Sequence, residues 1–134
     1  MNEIGKIYER PWGTYQTLAL EAGFQIKILT VNAQGKLSLQ RHQQRAEHWV
    51  VVKGTPTITI DDTEKNYSVN DAVYIPLKAK HRIQNFTDTI CQLVEVQVGS
   101  YLGEDDIERF EDIYGRKVAG PGSRVSDPYL VPGT

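Results

Sequence analysis

Trp49-Val50-Val51-Val52-Lys53-Gly54-Thr55-Pro56-Thr57-Ile58-Thr59-Ile60-Asp61-Asp62 is the stretch that decides the fold class. A short apolar run stops at the turn signal Lys53-Gly54-Thr55-Pro56, and a clean two-residue alternation follows until the paired aspartates. The same period recurs upstream, where Phe24, Ile26 and Ile28 share one face and Gln25 and Lys27 the other. Further short strands are predicted at Lys65 to Val69, Ala72 to Ile75, His81 to Asn85 and Ile90 to Val98. Many short strands separated by Gly, Pro, Asn and Asp predict an all-β sandwich or small barrel, not a parallel sheet with crossover helices.

One segment departs from period two. Between Gly103 and Gly115, Ile107, Phe110 and Tyr114 fall at helical spacing, acidic residues crowd the start and Gly115 suits the stop. The pattern predicts one short C-terminal helix on the outside of the barrel. From Lys117 to Thr134 three prolines and three glycines interrupt any period, which reads as a tail. The domain is therefore drawn over residues 1–116 and the tail over 117–134.

A length of 134 residues suits one domain, large enough to bury a core without disulfide or metal staples. Hydrophobic residues at 40% and charged ones at 24% are ordinary for a globular protein and exclude wholesale disorder. Fifteen basic against 17 acidic residues leave a net charge of −2, so no global basic field exists to hold nucleic acid or an anionic membrane. A small anionic ligand needs only a local cluster of arginines. Cys91, the single cysteine, lies in a strand-like run and reads as a small buried hydrophobe. With neither a leader-like apolar run at Met1 to Lys6 nor a membrane-length segment, a cytoplasmic location is the expectation.

The chemistry centres on the three histidines, His42, His48 and His81. Gln40 and His42 are two apart and share a face on a strand, and a turn can return Glu47 to the same cavity. With His81 these residues offer an amide oxygen, two imidazoles and a carboxylate, a set suited to Zn, Co, Mn or Ni. Spacing alone favours satisfied structural histidines over a metal site.

Gly35 to Gly54 resembles the first cupin motif, including the six residues between Glu47 and Gly54. Asn70 to Asn85 is similar to the second, with Pro76, His81 and Asn85 in register and Asn70 and Lys78 where glycines are usual. Three blocks carry a narrower resemblance, to the C-terminal cupin domain of type II mannose-6-phosphate isomerases, the bifunctional isomerase and mannose-1-phosphate guanylyltransferase family. They are Arg10 to Tyr15, Leu37 to Trp49 with its Arg45-Ala46-Glu47-His48-Trp49, and Gly99 to Arg116. The general cupin His-x-His pair is here Gln40-x-His42, and the nucleotidyltransferase part of the family is not in this sequence.

The resemblance implies a cupin double-stranded β-helix, a jelly-roll barrel, that interconverts mannose 6-phosphate and fructose 6-phosphate. It implies a divalent metal ion, zinc in first place, held by Gln40, His42, Glu47 and His81. Proton transfer requires a group poised near neutrality, for which His48 and Glu95 are the candidates. Phosphate capture favours arginine, so Arg45 leads, followed by Arg41, Arg82 and Lys80; an ion pair with Glu47 is the rival role for Arg45. The rival functions are a non-catalytic sugar-phosphate or nucleotide-sugar binding module acting beside a separate guanylyltransferase, and an iron-dependent cupin oxygenase. The expected partner is a second copy of the chain, because pairing sheets hides exposed strands.

Overall fold

The computed structural model describes residues 1–112 and 114. Every regular element among them is a strand: β1 (Ile7–Arg10), β2 (Gly13–Glu21), β3 (Phe24–Val31), β4 (Leu39–Arg41), β5 (Arg45–Lys53), β6 (Thr57–Ile60), β7 (Thr63–Asn66), β8 (Ala72–Ile75), β9 (His81–Gln84), β10 (Cys91–Gly99) and β11 (Glu108–Glu111). They form two antiparallel sheets. One has the order β1-β2-β3-β10-β5-β8 and the other β11-β4-β9-β6-β7. The chain passes back and forth between the sheets, as a jelly roll requires.

The two sheets enclose a core of Trp12, Tyr15, Leu29, Val31, Leu37, Trp49, Val51, Ile58, Ile75, Ile83, Cys91 and Leu93. Cys91 is a free, fully buried thiol within it. Gly54 closes the β5–β6 turn at φ 76°, and a Cβ there would stand 2.8 Å from Cys91 Sγ and 2.9 Å from Ile90 O, so glycine is required. Asn70 and Lys78, at the two positions where related motifs carry glycine, both take positive φ, 79° and 68°. Asparagine tolerates that conformation well and lysine less so.

The alternation along β3 is present, with its polar set inward. Gln25, Lys27, Leu29 and Val31 are buried, whereas Phe24 is exposed and Ile26 and Ile28 only half-buried. The neighbouring β10 repeats the arrangement, with Glu95 and Gln97 inside and Val98 exposed. Register aligns Glu95 with Lys27 and Gln97 with Gln25, so the polar positions of the two strands lie side by side. The interior of the large sheet is thus apolar at the end near Leu29, Leu93 and Val51 and polar at the end near Lys27, Glu95 and Glu47.

The expected C-terminal helix is corrected over the described residues. Glu108–Glu111 is a strand, β11, paired antiparallel to β4. The acidic residues have partners more specific than a helix dipole: Glu108 takes Arg41 Nε at 2.6 Å, Glu111 takes Arg82 Nη1 at 2.9 Å and Glu104 takes Lys27 Nζ at 2.5 Å. Asp106 caps the Gln43-Gln44 turn, its two carboxylate oxygens each accepting a backbone N–H at 3.0 Å. Tertiary pairing therefore overrides the local spacing. The expectations for Ile113, Gly115 and the 117–134 tail lie outside the described residues.

Candidate metal centre

β5 supplies the core of the site. Arg45, Glu47, Trp49 and Val51 all point inward at two-residue spacing and are essentially buried. β9 contributes His81, whose register partner on β4 is Gln40. His42 follows β4 immediately, its carbonyl fixed by the backbone N–H of Lys78 at 2.8 Å. One ligand atom from each of His42, Glu47 and His81 lies within 4.8 Å of the others.

Hydrogen bonds fix which imidazole nitrogens are available. His42 Nδ1 donates to Asp106 O at 2.6 Å and His81 Nδ1 to Ala79 O at 3.0 Å. Both Nε2 atoms are left as lone-pair donors, the tautomer that metal ligation needs. His42 Nε2 is 3.4 Å from Glu47 Oε2, and His81 Nε2 is 3.8 Å from Glu47 Oε1. Burial, aided at His42 by the charge of Arg45, holds both histidines below their ordinary value, so they are neutral at neutral pH. Burial alone would raise Glu47, but His42, Arg45 and His81 together outweigh it and its carboxyl lies far below the usual carboxylate range. Two buried acceptors, Gln40 Oε1 and His81 Nε2, make no hydrogen bond, at a cost a cation would remove. The donor set of two imidazoles, one carboxylate and one amide oxygen fits a borderline divalent ion.

Arg45 sits inside this cluster. Its Nε donates to Glu47 Oε2 at 2.9 Å and its Nη2 to His42 Nε2 at 3.2 Å. The ion pair with Glu47, the rival role for this arginine, is therefore formed. Trp49 Nε1 lies within hydrogen-bonding distance of both Glu47 Oε1 (3.0 Å) and Glu95 Oε2 (3.1 Å). Burial, reinforced by the negative charge of Glu47, pushes Glu95 up to about 8.

The other expected site residues lie elsewhere. His48, one residue after Glu47, points out of the sheet and packs on Tyr74, with ring centroids 4.7 Å apart. Arg41 and Arg82 likewise alternate away from Gln40 and His81 and pair with Glu108 and Glu111 of β11. Lys80 lies over the Phe110 ring at 4.3 Å. A one-residue step along the strand turns His48, Arg41 and Arg82 away from the cluster, and Lys80 lies in the loop just before β9.

Glu95, an expected proton-transfer residue, lies within a wider polar set that the spacing did not mark out. Gln97 Nε2 donates to Glu95 Oε1 at 2.5 Å, Gln25 Nε2 to Gln97 Oε1 at 2.9 Å and Thr17 Oγ1 to Gln25 Oε1 at 3.0 Å. Beside them Lys27, with no exposed surface, is paired to Glu104. The signal that could have found them is two polar residues spaced by two on each of two neighbouring apolar strands.

The raised Glu95 gives a pH dependence. Between the ordinary 4.5 and about 8 the folded chain binds a proton that the unfolded chain has released, so Glu95 makes stability fall as pH rises through that window. Glu95→Gln is expected to flatten this slope in urea unfolding at the two ends of the window. An unchanged slope means that Glu95 is ionised in the folded protein.

The family model described as "Mannose-6-phosphate isomerase C-terminal" matches residues 2–112. The alginate biosynthesis protein AlgA of Pseudomonas putida is 50% identical over 107 residues, covering 80% of this chain and 22% of that protein. The xanthan biosynthesis protein XanB of Xanthomonas campestris is 50% identical over 111 residues, 83% of this chain and 24% of its own length. The mannose-1-phosphate guanylyltransferase ManC of Salmonella typhimurium is 48% identical, over 80% of this chain and 22% of that one. The chain thus spans less than a quarter of the length of these relatives. Among solved structures, an RmlC-like cupin from Shewanella frigidimarina superposes with a TM-score of 0.63 at 14% identity, covering 71% of this chain and 84% of that one. Oxalate decarboxylase of Lactobacillus farciminis gives 0.67 at 19% identity, over 78% and 33%. At these identities the superpositions establish the cupin fold alone.

Proposed function

We propose that this chain, which belongs to the mannose-6-phosphate isomerase C-terminal family, is a metal-dependent isomerase that interconverts mannose 6-phosphate and fructose 6-phosphate. The observation that carries the reading is the buried His42–Glu47–His81 cluster, with both Nε2 lone pairs free of protons and Gln40 Oε1 unsatisfied beside it. Zn, Co, Mn or Ni held by Gln40, His42, Glu47 and His81 would supply Lewis-acid stabilisation of negative charge on the sugar oxygens. Arg45 adds a fixed positive charge at the same place, through the nitrogens that now meet Glu47 and His42. Glu95 is the proton carrier: buried and poised at about 8, it can hold or release a proton near neutrality. Trp49, against both carboxylates, keeps Glu95 in fixed relation to Glu47.

One observation favours a second reading. Arg45 already satisfies His42 Nε2 and Glu47 Oε2 without a cation, which suits a binding module that works with a separate guanylyltransferase. Turnover separates the two. Fructose 6-phosphate formation from mannose 6-phosphate, supported by added metal and stopped by a chelator, is expected. A folded chain that is inert with every metal tried and still binds the sugar phosphate decides for the binding module.

Assembly follows from the inverted alternation. Phe24, Val50, Val52, Tyr74 and Val98 are exposed on the outer face of the six-stranded sheet, and the outward positions of the central β3, β10 and β5 carry no Asp, Glu, Lys or Arg between Phe24 and Ile28, Val94 and Val98, or His48 and Val52. A neutral apolar face can meet its own copy without like-charge repulsion, so the chain is proposed to dimerise there. Val50→Lys with Val98→Lys should give a monomer by light scattering; a persistent dimer places the interface elsewhere. Among the described residues no helix is long and apolar enough to cross a membrane. The single buried thiol suits the reducing cytoplasm we propose as its location.

A further inference from the structure

Between the β1–β2 hairpin and the Tyr101–Asp105 turn lies a pocket of about 370 Å³. Tyr8, Arg10, Tyr15, Tyr101, Asn2 and Glu104 line it. The Tyr8 and Tyr15 rings stack at 4.9 Å with 27° between planes, and the Arg10 guanidinium lies 5.0 Å from the Tyr15 ring and 5.8 Å from that of Tyr8. Rings, amide, carboxylate and guanidinium around one opening are the groups that recognise a hydroxylated ring bearing an anion.

Glu104 connects this pocket to the metal centre. Its Oε1 accepts from Lys27 Nζ at 2.5 Å and Asn2 Nδ2 at 2.5 Å. Its Oε2 is buried and makes no hydrogen bond, and neither does Arg45 Nη1, 4.0 Å away. One is an acceptor and the other a donor. A hydroxyl oxygen about 2.8 Å from both would donate to the carboxylate and accept from the guanidinium, satisfying the two at once. Arg45 in turn holds Glu47 and His42, so the pocket floor stands one side chain from the cluster. Asn2 now fills that floor with a hydroxyl-like pattern, donating to Gln25 and Glu104 and accepting from Tyr15 Oη at 2.9 Å. Lys27 and Arg45 offset the charge of Glu104, while Asp105, also in the lining, accepts a hydrogen bond from Tyr101 Oη.

We propose that this pocket is the sugar-phosphate subsite: a ring hydroxyl bridges Arg45 Nη1 and Glu104 Oε2, and the phosphate meets Arg10. The assignment rests on the isomerase reading for the choice of sugar and deepens it by giving the substrate a route to the buried cluster.

Calorimetry on the full chain with its metal chelated tests the site apart from turnover, using mannose 6-phosphate, mannose and inorganic phosphate. Mannose 6-phosphate should bind at least about tenfold more tightly than mannose, the low end for a charge-assisted contact. Arg10→Gln should erase that preference without changing mannose binding, and inorganic phosphate should compete only when Arg10 is present. Asn2→Trp, on a segment outside the core, should fill the floor and weaken both sugars. The proposal is overturned if both folded variants keep the affinity of the unaltered chain, or if the unaltered chain binds neither sugar. Turnover with an unchanged KM in Arg10→Gln overturns the pocket and leaves the isomerase standing. Arg10-dependent binding without turnover under any metal does the reverse.

Discussion

Glu47→Gln is expected to abolish stoichiometric binding of a divalent ion and to lower the unfolding free energy by roughly 3 kcal/mol. Both effects come from one carboxylate with no exposed surface. It meets Arg45 at 2.9 Å, Trp49 at 3.0 Å, His42 at 3.4 Å and His81 at 3.8 Å. Removing its charge leaves the buried Arg45 guanidinium with only the more distant Glu104, 4.0 Å from Nη1, as a counter-ion, and that poorly compensated charge dominates the loss. Glutamine still offers one oxygen to Trp49, which keeps the figure at the lower end of the range for broken buried pairs. A metal at a hundredfold over its Kd should stabilise the unaltered chain by about 2.7 kcal/mol and the variant not at all. Adding Arg45→Met to Glu47→Gln removes the stranded charge and should recover much of the stability without recovering metal. Metal content by mass spectrometry, together with urea unfolding, reads the two effects separately. A folded Glu47→Gln chain that retains stoichiometric metal removes Glu47 from the ligand set. A folded Arg45→Met chain that still binds no metal, with the hydrogen bonds that Arg45 makes to Glu47 and His42 removed, overturns the cluster as a metal site.

What the sequence makes legible follows the physics of each signal. Period two and turn residues act locally, so β6, β8 and β9 fall at or near their expected places, Thr57–Ile60, Ala72–Ile75 and His81–Gln84, whereas β5 (Arg45–Lys53) begins well before the apolar run at Trp49. The same parity places Gln40 with His42 and turns His48, Arg41 and Arg82 to the other face, because a one-residue step on a strand changes the face. Parity does not say which face is inside. On β3 and β10 the polar set of Gln25, Lys27, Glu95 and Gln97 is interior, and the register between the strands, with Glu104 on Lys27, makes that arrangement tolerable. The Gly103 to Gly115 segment escaped for a related reason. Its helical spacing is a local signal, whereas Glu104, Asp106, Glu108 and Glu111 are each claimed by a partner more than 25 residues away in sequence.

The inverted interior makes Lys27 the other position where a large effect is expected. Lys27→Met should destabilise the chain by about 3–5 kcal/mol, the range for breaking a buried pair. The ammonium has no exposed surface, meets Glu104 Oε1 at 2.5 Å and stands 4.2 Å over the Tyr15 ring. Its loss leaves Glu104 with only Asn2 and the more distant Arg45 to offset a carboxylate now held down by Lys27 and Arg45 against the upward push of burial. Methionine replaces the aliphatic stem, so packing against Tyr15 is kept and the loss reports the charge. Glu104→Gln alone should cost less, because the amide oxygen can still accept from Lys27 Nζ and the ammonium keeps its place over the Tyr15 ring. The pair Lys27→Met with Glu104→Gln should then recover a large share of the loss, leaving a coupling of at least about 1 kcal/mol in a double-mutant cycle. Additive losses would mean that the two side chains do not depend on each other, and that Lys27 is held inside the barrel by its cross-strand neighbour Glu95 instead. In that case Lys27→Met should also raise the proton affinity of Glu95, and the fall of stability with pH would extend further into the alkaline range, since Lys27 now holds Glu95 down.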